Sequence, residues 1–491
     1  MMRKRTTQSW WLACILVVTL SAQARSQDAL PVSHLEFHSS NTALNASFAW
    51  AKQQALTYVR PASSPIGPWY EAALPGRNAF CMRDVSHQTQ GAAALGLFAA
   101  NHNMLDRFAL SAAASRNWAA YWEIDSKGQP STADYLSNDD FWFNLPANFD
   151  VLDAIVRMWR WTGDDTYRND PHLQTFFRKT LTDYMTQWQL QPGAILTRPR
   201  IANRRLEKGK FVDARGIPSY TEGPQDFIFG ADLLAAEYRA ICSYEEMASS
   251  SPDKQLAERL QGTAEKIQHI LETVAWSDET KHFNGVIQRG LHGYGSADTM
   301  VLYFGAAENE EHLRGALDYV ANPSYWKTIN IEEESYAPLV LFRYGRTDMA
   351  YRVLLDLSDP AKPRHEYPEV SYAVVAALIS GAMGIEPARA GAAYDIQSLP
   401  QPMTGDEDMS VDFLPIRGHL LYLAQQGDVS QRIINRKGTT IRWRAEFRGA
   451  DDLLTVDGKP VRAEHETLPG GMRITSTIVS VPPGASITVN R

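Results

Sequence analysis

Alternation constrains this chain more than any single motif. From residue 41 to residue 384, about twelve stretches repeat apolar side chains every three to four positions, the spacing that lines them along one helix face. They fall at 41–60, 85–100, 104–121, 147–162, 171–191, 227–247, 252–276, 296–306, 310–320, 331–345, 348–357 and 368–384. Connections from even to odd helices are short, as at Asn101-His102, Gly163-Asp164-Asp165 and Gly345-Arg346-Thr347. Loops entering even helices are long and rich in acidic, aromatic and Arg residues. Short turns join antiparallel neighbours, whereas long ordered loops tend to carry function. If the even helices form an inner ring, their N-termini open on one face and the acidic-aromatic loops converge there over one cavity.

After about residue 394 the pattern changes. Segments 418–424, 439–447, 453–456, 472–481 and 486–489 are short and β-branched, and Asp457-Gly458-Lys459-Pro460, Pro469-Gly470-Gly471 and Pro482-Pro483-Gly484 separate them as turns. The chain of 491 residues therefore divides into a signal peptide (1–24), a polar leader (25–40), a helical domain (41–395), a Pro-containing linker (396–410) and a small antiparallel β-domain (411–491). The signal reading rests on Arg3, Lys4 and Arg5, an apolar run from Trp10 to Leu20 too short to span a bilayer, and the small-x-small site Ala22-Gln23-Ala24. It predicts export to the periplasm or beyond, with no stable membrane insertion after cleavage. A net charge of −8 without a basic half argues against nucleic acid as a partner. No paired-Cys motif, His-Glu-x-x-His or calcium loop occurs, so neither a metal nor another cofactor is indicated.

The candidate site residues lie on the long loops. Arg83 and Asp84 stand side by side before the second helix, where a guanidinium fork, a carboxylate and a helix N-terminus together suit a polyhydroxylated ligand; a capping Asp beside a surface Arg is the plainer reading. Asp139 and Asp140 precede Phe141-Trp142-Phe143, aromatics that desolvate a carboxyl or simply join the core. Glu222 sits between Tyr220 and Gly223-Pro224, where an apolar wall would raise its pKa and the helix dipole would lower it. Glu366 and Glu369, three apart, share a helix face, with Pro368 at a first helical position. Glu332, Glu333 and Glu334 form a third acidic set that reads more naturally as a solvated helix start. His87, Asp139, Trp142, Tyr220, Tyr294 and Tyr367 flank these carboxyls on the same loops and complete the candidate binding set.

Cys81-Met82-Arg83-Asp84 is similar to the aromatic-x-Arg-Asp element that precedes the second helix in glucoamylase-like enzymes and binds sugar hydroxyls, although Phe80 lies one position further away than that pattern wants. Together with the helical-hairpin alternation and the β-domain after it, this makes the chain resemble the six-hairpin glycosidases, a superfamily with glucoamylase-like, trehalase-like and α-rhamnosidase-like members. The resemblance implies a mainly α fold, an (α/α)6 toroid of about twelve helices followed by a small antiparallel β-domain. It implies an exported glycoside hydrolase acting on a carbohydrate substrate by an inverting carboxyl pair. By position in the alternation, Glu222 becomes the general acid and Glu369 or Glu366 the general base, with Asp140 a rival acid; Arg83, Asp84, His87, Asp139, Trp142, Tyr220, Tyr294 and Tyr367 would bind substrate. Two alternatives stay open: a polysaccharide lyase or unsaturated-uronide hydrolase on a similar barrel, with Tyr or His as base, and a non-catalytic carbohydrate-binding protein. The basic loop from Arg198 to Lys210 would favour an acidic sugar if it borders the cavity, and is otherwise a solvated loop.

Overall fold

A computed structural model of the chain describes residues 33–198, 211, 214–221, 227–248 and 254–491. The segment read as a signal peptide and most of the Arg198–Lys210 loop lie outside the described residues.

Among the described residues, twelve main helices build the larger layer, besides short turns of helix at Thr166–Asn169 and Met185–Gln187. The twelve are α1 Thr42–Thr57, α2 Met82–Ala94, α3 Phe98–Ser111, α4 Pro146–Thr162, α5 Pro171–Lys179, α6 Ala231–Ala248, α7 Lys254–Ile270, α8 Asp298–Phe304, α9 Glu310–Val320, α10 Ile331–Arg343, α11 Thr347–Leu357 and α12 Pro368–Ala376. α5, α7 and α12 each run on into a turn of wider π-type winding. The even helices contact one another in a closed cycle, α2–α4–α6–α8–α10–α12 and back to α2, and the odd helices pack outside them. This is an (α/α)6 toroid with the even helices as its inner ring.

Local chemistry sets most boundaries. Asn41, Asp170, Asn309 and Asn330 cap their helices by accepting from backbone N–H groups of the first turn. Pro146 and Pro368 occupy first helical positions. Gly163 ends α4 in the left-handed region at φ 70°. The second and third helices start earlier than the sequence pattern suggests. α2 begins at Met82, so Arg83 and Asp84 lie inside its first turn, and the chain reverses at Gly96 (φ 82°) instead of Asn101-His102. Asn101 is a buried residue of α3 whose side chain accepts from the Tyr70 hydroxyl at 2.7 Å. Inner helices approach closely where side chains are smallest: a Cβ on Gly91 of α2 would lie 2.1 Å from the carbonyl oxygen of Tyr372 on α12.

The β-domain comprises twelve strands: β1 Glu36–Ser39, β2 Glu386–Pro387, β3 Ile396–Ser398, β4 Asp408–Ile416, β5 His419–Gln426, β6 Ser430–Lys437, β7 Ile441–Arg448, β8 Leu453–Val456, β9 Lys459–Arg462, β10 Glu464–Thr467, β11 Arg473–Val481 and β12 Ser486–Asn490. One sheet has the order β1-β4-β5-β6-β12-β8-β9, the other β2-β3-β7-β11-β10, and pairing is antiparallel except between β3 and β7. The end of the leader thus contributes a strand to the distant β-domain, because buried Phe37 alternates with exposed Glu36 and His38 and pairs opposite Val411. The linker, likewise, supplies β3 and the start of β4. Asp457-Gly458, both left-handed, form the two-residue hairpin between β8 and β9.

The β-domain closes the C-terminal end of the inner ring. Gln401 Nε2 donates to the carbonyls of Phe342 (2.9 Å) and Gly381 (3.2 Å), Gln425 Nε2 to that of Met383 (2.8 Å), and Trp161 Nε1 to that of Pro415 (2.9 Å). The Gln401 and Gln425 donors satisfy carbonyls at and beyond helix ends, which have no partner within the helix, and Trp161 at the end of α4 bonds a carbonyl of β4. One continuous apolar core runs through both domains. Among the described residues, the N-terminal ends of the inner helices stay open, crossed by loops that pair in short ribbons such as Ala79–Cys81 with Glu123–Asp125.

Candidate active site

At the open end, the first turns of five of the six inner helices are acidic: Asp84 on α2, Asp232 on α6, Asp298 on α8, Glu332, Glu333 and Glu334 on α10, and Glu369 on α12. Helix N-termini carry partial positive charge and accommodate carboxylates. What organises this acid is Arg83. Its Nη2 donates to Glu332 Oε2 at 2.8 Å, its Nε lies 3.6 Å from Asp84 Oδ1, and its guanidinium sits 5.5 Å from the centre of the Tyr220 ring. The Cys81 thiol donates to Asp84 Oδ2 at 2.9 Å, and burial together with Asp84 pushes that thiol well above its usual range, keeping it a donor.

Carboxyls from two inner helices, Asp84 and Glu332, flank this one guanidinium, and Glu369 of a third lies within its electrostatic reach. Burial raises Asp84 to about 6, against the pull of Arg83. Glu369 is only 4% exposed; burial, then the charges of Asp84 and Glu332, push it well above the carboxylate range. Burial thus favours the protonated form of Glu369, while Glu332, bonded to the guanidinium, keeps 21% of its side chain exposed.

Below lies a layer of rings and buried ion pairs. His87 stacks on Tyr336 with ring centres 3.7 Å apart, and its Nε2 is 3.0 Å from Ser335 Oγ. Burial, with Arg157 and Arg83 adding, pushes His87 down to about 3, so it stays neutral. The Tyr220 hydroxyl donates to Asp150 Oδ2 at 3.1 Å, and burial raises Asp150 to about 7 despite Arg157. The Tyr220 backbone N–H donates to Asp232 Oδ2 at 2.5 Å, and the Ser219 hydroxyl to the same oxygen at 3.0 Å, which ties the entry to α6 to its own first turn.

Of the residues singled out by sequence, the fold brings Arg83, Asp84, His87, Tyr220 and Glu369 into this one region. Others lie elsewhere. The Glu366 carboxylate is 53% exposed and 3.7 Å from His365 Nδ1, while its backbone carbonyl accepts from the Tyr58 hydroxyl. Asp139 is 92% exposed and 4.0 Å from Arg215. Asp140 accepts from the Phe211 backbone N–H and so holds a loop. Trp142 is buried in a small cluster with Ala214, Ile217, Phe227 and Val286, its Nε1 donating to Asn144. Tyr294 is exposed on a short strand beside Val286, and Tyr367 lies under the Arg364 guanidinium just before α12. Glu222 lies outside the described residues.

Sequence reasoning did not select Glu332, Asp150 or Tyr336. Glu332 stood within a run of three acids; Asp150 and Tyr336 are helix-interior residues with no local signal. Among the described residues, no group of three or more His, Cys, Asp or Glu is arranged to hold a metal ion, and no helix is long and apolar enough to cross a membrane.

No protein-family model matches this sequence, and no curated protein matches it. Solved structures do resemble it in fold. An α-L-rhamnosidase from Dictyoglumus thermophilum aligns with a TM-score of 0.59 at 12% identity, covering 94% of this chain and 50% of that one. A GH78 family rhamnosidase of Bacillus sp. GL1 aligns with a TM-score of 0.55 at 11% identity, covering 82% and 41%. A putative kojibiose phosphorylase from human microbiome aligns with a TM-score of 0.53 at 8% identity, covering 92% and 68%. The chain spans half the length of the two rhamnosidases or less. The shared feature is the fold: an (α/α)6 toroid with a β-domain.

Proposed function

We propose that this protein hydrolyses glycosidic bonds of an oligo- or polysaccharide, with the carboxyls around Arg83 as its chemical centre. The observation that carries the reading is the meeting of Asp84 and Glu332 at the Arg83 guanidinium, with buried Glu369 from a third inner helix within their electrostatic reach, at the open end of a six-hairpin toroid. Glycoside hydrolysis needs one protonated and one ionised carboxyl; in inverting enzymes they stand about 6.5–9.5 Å apart, leaving room for water. Environments that push two carboxyls apart in pKa assign these roles.

The sequence expectation made Glu369 or Glu366 the base. Burial supports the opposite role for Glu369, that of proton donor, and leaves exposed Glu366 out of the chemistry. In the proposed step, the Glu369 carboxyl protonates the glycosidic oxygen, which takes the bonding pair as the C–O bond breaks. Water attacks the anomeric carbon from the opposite face and gives its proton to a carboxylate, for which Glu332 is the candidate among the described residues. Arg83 and Asp84 donate to and accept from the sugar hydroxyls. Glu222, which the sequence reading made the general acid, adjoins Thr221 in sequence and becomes instead a rival for the ionised role.

The eliminative alternative needs a Tyr or His base. Two of the residues considered for it are unsuited. Burial and Asp150 push Tyr220 well above its usual range, so it resists ionisation, and His87 at about 3 is too weakly basic. The test is a panel of aryl glycosides and polysaccharides, read for reducing ends and ultraviolet absorbance together. Reducing ends without absorbance, with the anomer formed first inverted by NMR, are expected; absorbance from a new C=C bond would overturn hydrolysis. Export is proposed on residues 1–24 alone, and sequencing the N-terminus of protein recovered outside the cytoplasm should find cleavage after Ala24.

A further inference from the structure

A second cavity lies at the opposite end of the toroid. It holds about 620 Å³, within the usual range for small-ligand pockets. Its walls are the C-terminal ends of α4, α8, α10 and α12 and, facing them, strands of the five-stranded sheet. Arg157 and Tyr303 form the partition towards the carboxyl cluster: both line this cavity, while Arg157 Nη2 also reaches to 4.0 Å from Asp150 and Tyr303 packs edge-on against Tyr336.

The lining is cationic in a chain whose net charge is −8. Six arginines, Arg157, Arg160, Arg239, Arg343, Arg389 and Arg444, face four acids, Asp153, Glu386, Glu446 and Glu466. Burial raises Glu386 and brings Glu446 to about 7, so these two offer less countercharge than their number suggests.

Several of the arginines have evident structural work. Arg160 pairs with Glu246 through two bonds of 2.8 and 2.5 Å. Arg343 donates to the Tyr303 carbonyl at 2.6 Å, in the last turn of α8, where cations are favoured. Arg444 is held by Glu466 at 2.7 Å and Glu446 at 3.2 Å. Arg389 is different. It follows β2 in a loop, far from any helix end of its own, and its guanidinium makes no hydrogen bond or ion pair among the described residues. Although Arg389 is exposed, partial desolvation and the neighbouring Arg239 and Arg160 hold its guanidinium lower against the pull of Glu246. Arg239 stands in the middle of α6 and shares Asp153 with Arg157, at 3.4 and 2.8 Å. Helix-end compensation therefore accounts for Arg160 and Arg343 but not for Arg389 or Arg239. Like charges gathered in a cavity are stabilised by an anion that enters it. Beside them Trp161, Tyr344 and Tyr394 supply flat walls, and Ser380 and Gln397 polar groups, the mixture that suits a hydroxylated ring.

We infer that this cavity binds a small anionic carbohydrate, a uronate or a sugar phosphate, with Arg389 and Arg239 gripping its oxyanion while the aromatic walls take its ring. This site is separate from the carboxyl cluster and does not depend on turnover there.

Calorimetric titration of the full chain with glucuronate, glucose 6-phosphate, inorganic phosphate and glucose tests the inference. At least one of the two sugar anions should bind one to one, and the tighter of them identifies the source of the oxyanion. Glucose should bind tenfold or more weakly. Raising NaCl should weaken binding. Arg389→Gln should weaken it at least tenfold without lowering the melting temperature of the free protein, since it removes a charge that its neighbours repel. Glu369→Gln should leave binding unchanged, which separates this site from the catalytic one. Absence of binding by both sugar anions, binding of inorganic phosphate or glucose as tight as theirs, or unaltered affinity in both Arg389→Gln and Arg239→Gln would overturn the inference. Because the readout is heat of binding, it stands or falls independently of the proposed hydrolysis.

Discussion

Replacing Glu369 by Gln isolates one carboxyl with two readouts. The first is chemical. Gln keeps the shape but cannot donate the proton, and loss of a general acid costs about 10²–10⁴ in rate, or roughly 3–5 kcal/mol of barrier. That loss should appear with poor leaving groups and largely vanish with a glycosyl fluoride or dinitrophenyl glycoside, whose leaving groups need no proton. The second readout is stability. Glu369 is buried at 4% exposure and its carboxyl is pushed well above the ordinary range by burial, Asp84 and Glu332. Above the unfolded value the unfolded chain gives up this proton and the folded chain keeps it. Stability therefore falls as pH rises, by up to about 1.4 kcal/mol per pH unit for one proton. The penalty is absent below the unfolded value and fully developed once pH passes the folded one. Glu369→Gln should remove that slope in urea denaturation between pH 5 and pH 8, making the variant more stable than the parent at the alkaline end. Equal rate losses on good and poor leaving groups, restored by azide, would instead identify Glu369 as the base. An unchanged pH slope would refute the burial argument itself.

Three further outcomes follow from the same geometry. Asp150→Asn should flatten another part of the pH dependence: a carboxyl raised from 3.8 to about 7 weakens the fold by on the order of 4 kcal/mol above pH 7 and by nothing below pH 4, readable from denaturation midpoints. Arg83→Ala removes the only cation bonded to Glu332 and beside Asp84 among the described residues; breaking so enclosed a pair should cost about 3–5 kcal/mol at neutral pH and less in acid, measured by denaturation, with activity lost throughout. Gly91→Ala drives a Cβ to 2.1 Å from the Tyr372 carbonyl, and since backbone yields less than a side chain the loss should reach the upper part of the usual 1–3 kcal/mol range, seen as a lowered melting temperature with activity retained in the folded fraction.

The site illustrates where sequence stops being sufficient. Glu332, Glu333 and Glu334 read as one solvated run, yet they part company because successive helix residues point about 100° apart. Glu332 meets Arg83, Glu333 accepts from Tyr325 at 2.7 Å, and Glu334 pairs with Lys362 at 2.7 Å. Nothing local distinguishes them; the seating of α10 against α2 does. The opposite holds for Asp139 and Asp140, which stood beside three aromatics and looked like a desolvated acid. The fold turns the Trp142 ring into a core cluster and leaves Asp139 in solvent.

The sequence by itself determined the toroid and its polarity. Helix periodicity, Asn and Asp caps, Pro at first positions and the contrast between short and long connections are local properties, and they suffice to alternate inner and outer helices. They also placed Arg83, Asp84 and Glu369 at the open end, since residues that begin inner helices must lie there. Even locally the signal blurred where apolar residues ran through Gly96, and the α2–α3 turn shifted by several residues. Only the tertiary structure decided that Glu332 joins Arg83 across 249 residues of chain, that Glu369 is buried so that its carboxyl is pushed upward, and that Phe37 belongs to the distant β-domain. Which charges meet, and how far each is taken out of water, depend on packing between segments that no spacing within either one encodes.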